Sequence, residues 1–195
     1  MADYMTAAKL QQKRSNSAKD SRLPGEFFAR NTKTVAKELL GKILVHGKKR
    51  GKIVETEAYF GTGDPGSHAF RGPTPRSKIM FGPPGHAYVY FTYGNHWMLN
   101  FVCERDGKPG AVLIRALEPI EPKDARTNGP AKLTKAFGIS GKHNGTDLTS
   151  GKLCVENSDE RPKIVTATRI GLAKGKGDDL KLRFYIKDNG WVSRK

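Results

Sequence analysis

Cysteine, acidic residues and long apolar runs are all scarce in this 195-residue sequence. Two cysteines, Cys103 and Cys154, are too few for a disulfide framework and point to a reducing compartment. No stretch approaches the roughly 20 apolar residues that a bilayer span needs, so a soluble protein without a membrane partner is expected. No charged leader followed by an apolar run opens the sequence, which makes the cytoplasm the expected compartment. The five histidines and two cysteines show no zinc-type spacing, so no catalytic metal is expected. FGPPGHA and GISGKHNGTD lack the residue order of a phosphate-cradling P-loop and read as turns.

The deficit of acid is the most informative of these. Asp and Glu number 19 against 35 Lys and Arg, a formal net charge of +16. Such a field favours a polyanionic partner. Nucleic acid fits through the release of condensed counterions, although an acidic membrane or ribosomal RNA would attract the same charge.

Residues 1–22 are polar and basic, with five Lys/Arg against two Asp, and read as a flexible basic N-terminal arm. From Leu23 the character changes, and residues 23–195 read as one domain. Asn31 or Thr32 is a plausible cap for a helix over VAKELLG, which Gly41 would stop, and Pro130 suits the first turn of a second helix. KILVH, GKIVETEAY, HAYVYFTY, GAVLIRALE and LRFYIKD read as strands, rich in β-branched and aromatic residues. Residues 61–87 are too rich in Gly and Pro for regular elements and long for a mere connection. GLAKGKGDDLK, at residues 171–181, reads as a mobile, solvated loop without chemistry. Strands without regular βαβ alternation predict an α+β fold: a single domain with a curved, mainly antiparallel β-sheet, flanking helices and a protruding β-hairpin.

Alternation along IVETEAY places Glu55, Glu57 and Tyr59 on one face and Val54, Thr56 and Ala58 on the other. A carboxylate beside an aromatic could activate water if burial raises its pKa, and the same pair also suits an ion-paired strand edge. In YVYFTYGN, Tyr90 lies within the sheet, as core tyrosines do, whereas Tyr93 falls at a hairpin tip. An aromatic there could serve as a wedge between base pairs, flanked by Asn95 and His96.

IVETEAY, HAFRG, TPR, MFGPPGHAYVYFTYGNHWMLN, VLIRALEP, NGPAKL, RIG and LRFY, taken in order and spacing, resemble the alkyladenine (3-methyladenine) DNA glycosylase family. The resemblance covers nearly everything from Leu23 to Ser193. It implies a monofunctional glycosylase of base excision repair that flips a damaged purine out of duplex DNA and hydrolyses its glycosidic bond, with no cofactor, as a monomer at the nucleoid of a bacterial-type cell. By the same resemblance Glu57 would activate the water, with Arg115 and the backbone carbonyl of Ile170 beside it. Tyr59, His68, Tyr90 and Asn100 would form the base pocket, Asn100 disfavouring the exocyclic amine of guanine, and Tyr93 would intercalate. Asn95 and His96 depart from the bulkier pair that some relatives carry after YG. Arg71, Arg76, Lys78 and Lys132 lie in or beside matched motifs and are candidate phosphate contacts.

Each assignment has an ordinary alternative: His68 could pack in its loop, Asn100 could bond a turn, and Arg115 could pair with Glu118 or Glu121. Two other functions also fit the residues. A desolvated Lys132 could form a Schiff base with the sugar, as in a bifunctional glycosylase/lyase. Alternatively, the chain could be a non-catalytic binder of bent or damaged DNA or of structured RNA.

Overall fold

Asn31 caps the first helix of more than one turn: its Oδ1 accepts from the backbone N–H groups of Lys33 and Thr34, at 3.1 and 3.4 Å. The computed structural model describes residues 21–105 and 107–195, so all but the last two residues of the expected arm lie outside the described residues. Those two are tied down, since the Ser21 carbonyl accepts from Asn157 and Arg22 bridges Glu156.

A single turn, α1 (Gly25–Phe28), precedes α2 (Thr32–Glu38). The chain then turns through Gly41, whose φ of +89° suits glycine, into the strands β1 (Ile43–His46) and β2 (Lys49–Tyr59). After the long Gly/Pro connection come β3 (Ala87–Thr92), β4 (His96–Val102) and β5 (Ala111–Glu121). Helix α3 (Pro130–Phe137) begins on Pro130 and ends at the left-handed Gly138. The remaining strands are β6 (Leu153–Glu156), β7 (Ile164–Ala167) and β8 (Arg183–Ile186). Turn α1 and strands β6 and β7 are not among the elements the sequence predicts.

All pairings are antiparallel, in the order β3-β4-β5-β2-β1-β6. The second half of β2 pairs with β8, which pairs with β7. The result is the expected α+β fold, a single domain on one curved antiparallel sheet.

Helices α2 and α3 cover one face, where Ala58, Ala87, Val89, Leu99, Phe101, Val112 and Ile114 join the main core. The opposite face is also covered. The connection between β2 and β3, regular only in a 3-10 turn at Lys78–Phe81, brings Ala69 and Met80 against Tyr88, Val102 and Ala111. Glu55 and Glu57 are fully buried, not on an exposed strand edge, packed against Arg115, Ile170, Arg183 and Ser193.

Strand β2 changes parity midway. Ile53 and Ala58 both belong to the main core although their positions differ by an odd interval, which regular alternation would put on opposite faces, and the β2–β5 register slips on either side of Glu55. The slips leave Val54 and Arg115 without a direct cross-strand partner. Irregularities of this kind re-aim a side chain, and here Arg115 is turned between the two glutamates.

Candidate active site

Residues directly opposite one another in a sheet share a face, so pairing register assembles a site from distant sequence. One row crosses five strands: Tyr88 opposes Asn100, Asn100 opposes Leu113, Leu113 opposes Glu57, and Glu57 opposes Arg183. The neighbouring positions add Tyr90 opposite Met98 and Tyr59 opposite Ala111.

Beside this row lies a cavity of about 320 Å³. Its walls include Tyr59, His68, Tyr88, Tyr90, Tyr93, Asn100, Arg115 and Ile170. The seven expected catalytic, pocket and intercalating residues other than Glu57 are thus brought together around one cavity, which none of the four candidate phosphate contacts lines. Gly171 and Leu172 line it too, so the segment read as chemically silent begins at the site.

Glu57 does not line the cavity; it lies one side-chain layer behind. Its Oε1 accepts the Ile170 N–H at 2.8 Å, and its Oε2 accepts the Tyr59 hydroxyl at 2.9 Å and Arg115 Nη1 at 3.2 Å. All three of those partners are on the wall. Burial pushes the Glu57 carboxyl above the usual carboxylate range, against the opposing pull of Arg115, the Ile170 N–H and the Tyr59 hydroxyl. Ile170 therefore meets Glu57 through its N–H, a contact that a motif calling only on its carbonyl does not reveal.

Arg115 pairs with Glu55 Oε1 at 3.3 Å and with Glu57, not with Glu118 or Glu121. Glu118 is taken by Lys52 and Asn189. Glu55 is more than a strand neighbour: it also accepts from Arg183 at 3.0 Å and from the Ser193 N–H at 2.7 Å. Two buried carboxylates thus face two buried guanidiniums, the balance of charge that burial requires.

The aromatic wall is linked. His68 Nδ1 is 2.8 Å from the Tyr88 hydroxyl, and the His68 ring meets Tyr90 edge-on at 4.7 Å. Burial and the nearby Arg76 push the His68 pKa down, so the imidazole is neutral at pH 7. Asn100, 3% exposed, donates to the Tyr88 carbonyl at 3.1 Å, which fixes its amide toward the cavity wall. Burial drives the Tyr90 phenol up to about 12, so it too stays neutral.

Tyr93 sits at the β3–β4 turn, 81% exposed, with a φ of +51°, followed by Gly94 at +69°. Consecutive positive φ values make the primed hairpin turn, and a bulky residue in that conformation is strained. Arg71, Arg76, Lys78 and Lys132 are all exposed. Arg76 lies over the Tyr90 ring, 5.8 Å from its centre.

Lys132 bonds Asn128 on the surface, and the cavity wall contains no lysine among the described residues. The desolvated lysine that a Schiff-base mechanism needs is therefore not found at this site. Among the described residues, no group of three or more His, Cys, Asp or Glu is placed to hold a metal ion, and no helix is long and apolar enough to cross a membrane.

A model of the methylpurine-DNA glycosylase (MPG) family matches residues 26–190. The chain belongs to this family. Several relatives bear the name "Putative 3-methyladenine DNA glycosylase". One from Carboxydothermus hydrogenoformans is 48% identical over 192 residues, covering 89% of this chain and 99% of the relative. Others are from Methanoculleus marisnigri, 45% identical over 89% of this chain and 99% of the relative, and Legionella pneumophila strain Corby, 48% identical over 89% and 98%. The family match spans the whole of the row from Glu57 to Arg183 and every residue named on the cavity wall.

Proposed function

We propose that the chain is a monofunctional DNA glycosylase that excises alkylated or otherwise damaged purines from double-stranded DNA, acting as a monomer on nucleoid DNA in the cytoplasm. Carrying this reading is the buried Glu57 carboxylate behind an aromatic cavity, held by three residues of the cavity wall.

A base inside a duplex must be extruded before its glycosidic bond can be reached. Exposed Tyr93 at the hairpin tip is the wedge that fills the vacated stack, while Arg71, Arg76, Lys78 and Lys132 hold phosphates. The extruded purine stacks between Tyr59 on one face and His68 with Tyr90 on the other, with Asn100 at its edge. Neutral tyrosines and a neutral histidine suit this role, since none carries a charge into the pocket.

Glu57 is the general base. A carboxylate offers roughly four acceptor positions, and three are occupied here, two of them on Oε2, so the free position is on Oε1. Water bound there, and steadied by Arg115 and the Ile170 carbonyl, attacks the sugar C1′ as the bond to the purine breaks. Glu57 takes the proton and its charge stabilises the positive charge that builds on the sugar. Glu57 has no exposed surface, so the layer of Tyr59, Arg115 and Ile170 must part to admit that water.

The test is base release from defined duplexes carrying 3-methyladenine, 7-methylguanine, hypoxanthine or etheno-adenine. Release of a free base with an abasic site left behind is expected. Tight binding with no release of any of them would establish a non-catalytic binder, and trapping of a covalent adduct by borohydride would establish a lyase.

A further inference from the structure

Arg169 belongs to none of the groups so far given a task, although it is 4% exposed and touches the site from behind. Its guanidinium lies over the Tyr59 ring, 4.6 Å from the ring centre, and Arg169 is not among the residues that line the cavity. The tyrosine ring thus stands between a fixed positive charge and the pocket.

The placement is built in. Asp64 holds the guanidinium through two bonds of 2.7 and 2.6 Å, and itself caps the loop after β2 by accepting from Phe60 and Gly66. The Ala58 and Gly177 carbonyls take further Arg169 N–H groups, at 3.1 and 3.2 Å. Space for the group comes from two glycines: a Cβ on Gly66 or Gly177 would come within 2.9 or 2.7 Å of Nη2. Such a fork is not a solvated surface charge that happens to fold inward.

A cationic purine stacked on an aromatic ring draws on the negative face of that ring. With Arg169 already drawing on the same ring, a cationic base gains less and is repelled across one ring thickness, whereas a neutral purine keeps its stacking. Asp64 offsets this effect without cancelling it, because the guanidinium is the partner against the ring.

We propose that Arg169 is a positioning residue that, acting through Tyr59, biases the pocket toward neutral over cationic damaged purines, with Asp64 setting the strength of the bias. The proposal rests on the reading of the cavity as a pocket for flipped purines.

Single-turnover excision of 7-methylguanine, which is cationic, and of hypoxanthine, which is neutral, is measured on matched duplexes, and the ratio of the two rate constants is compared between variants. The charge-free pair Arg169→Gln with Asp64→Asn raises the cationic-to-neutral ratio about fivefold, whereas Asp64→Asn alone, which leaves the guanidinium uncompensated, lowers it about threefold. Arg169→Lys keeps the charge and keeps the ratio near wild type, whatever happens to the absolute rates. A merely structural role would slow both substrates equally and leave the ratio unmoved. Should the double variant fail to fold, the shift in Asp64→Asn decides. Ratios within twofold of wild type in the folded variants overturn the inference while leaving the glycosylase reading intact. Release of neither base by the wild-type protein overturns that reading, and the inference with it.

Discussion

Replacing Glu57 by Gln preserves the shape of the side chain and removes its charge. In the wild-type protein both carboxylate oxygens face donors: Ile170 N–H on Oε1, Arg115 and Tyr59 on Oε2. An amide supplies one oxygen and one NH2, so in either orientation an N–H confronts the Ile170 N–H or the Arg115 guanidinium. One such buried mismatch costs about 1–3 kcal/mol. Removing a buried charge that burial itself disfavours offsets part of this, so the variant folds. The kinetic loss is far larger. General-base catalysis contributes about 10²–10⁴-fold, and the anionic stabilisation of the sugar goes with it, so a loss near 10⁴-fold is expected. The assay is single-turnover release of hypoxanthine or 7-methylguanine from a duplex with one lesion, with binding to abasic-site DNA measured in parallel. Binding is expected to stay within about threefold, because the wedge and the phosphate contacts are untouched. A folded Gln variant that excises within about tenfold of wild type would refute the reasoning, since no general-base role leaves so small a mark.

Four further outcomes follow from the same geometry. Glu57 must be ionised to act, and burial raises its pKa, so the single-turnover rate falls as pH drops through a value above the ordinary carboxylate range; an acid limb at or below that range would contradict the burial argument. Tyr93→Asn relieves the positive φ and raises stability by roughly 1 kcal/mol in thermal melts, yet slows excision from duplex more than from single-stranded DNA; equal slowing on both would remove the wedge. Arg76→Ala and Lys78→Ala each lower the slope of log affinity against log salt by about 1 if they hold phosphates, and an unchanged slope removes that assignment. Arg115→Met leaves Glu55 and Glu57 buried together without their shared cation and lowers stability by about 3–5 kcal/mol, a loss that shrinks as acid protonates one of them; a melting temperature unaffected by pH would contradict the pairing.

Which parts of this site were legible in the sequence follows from what determines each contact. Alternation along ETEAY places Glu57 and Tyr59 on one face because a strand has a period of two, and Gly94 after Tyr93 marks a turn because only some residues tolerate positive φ. Those are local rules, and both hold in the structure. Local rules cannot supply the cross-strand register that sets Asn100 opposite Leu113 and Leu113 opposite Glu57, nor the slip that swings Arg115 between two carboxylates. Alternation alone leaves the ETE face free to be solvated, and the burial that raises the Glu57 carboxyl pKa comes with groups distant in sequence, Arg115, Ile170, Arg183 and Ser193, that close over the two glutamates.

Arg169 shows the limit most clearly. Its partner Asp64 is 105 residues away, and although Arg169 opens the RIG motif, that motif draws a role only from Ile170. What could have pointed to the pair is negative: Gly66 occupies a position where its turn alone would accept other residues, Gly177 has a φ of +70° that favours glycine in any case, and the volume their missing side chains leave is filled by a guanidinium. Glycine in a loop is usually read as backbone freedom, yet Gly66 has no positive φ and is excluded from carrying a Cβ by contact alone. A buried cation against Tyr59, the tyrosine proposed to stack on the flipped base, is thus encoded by space left empty, which is why motif and periodicity give it no role and why its proposed consequence is sought in lesion preference instead of in the chemical step.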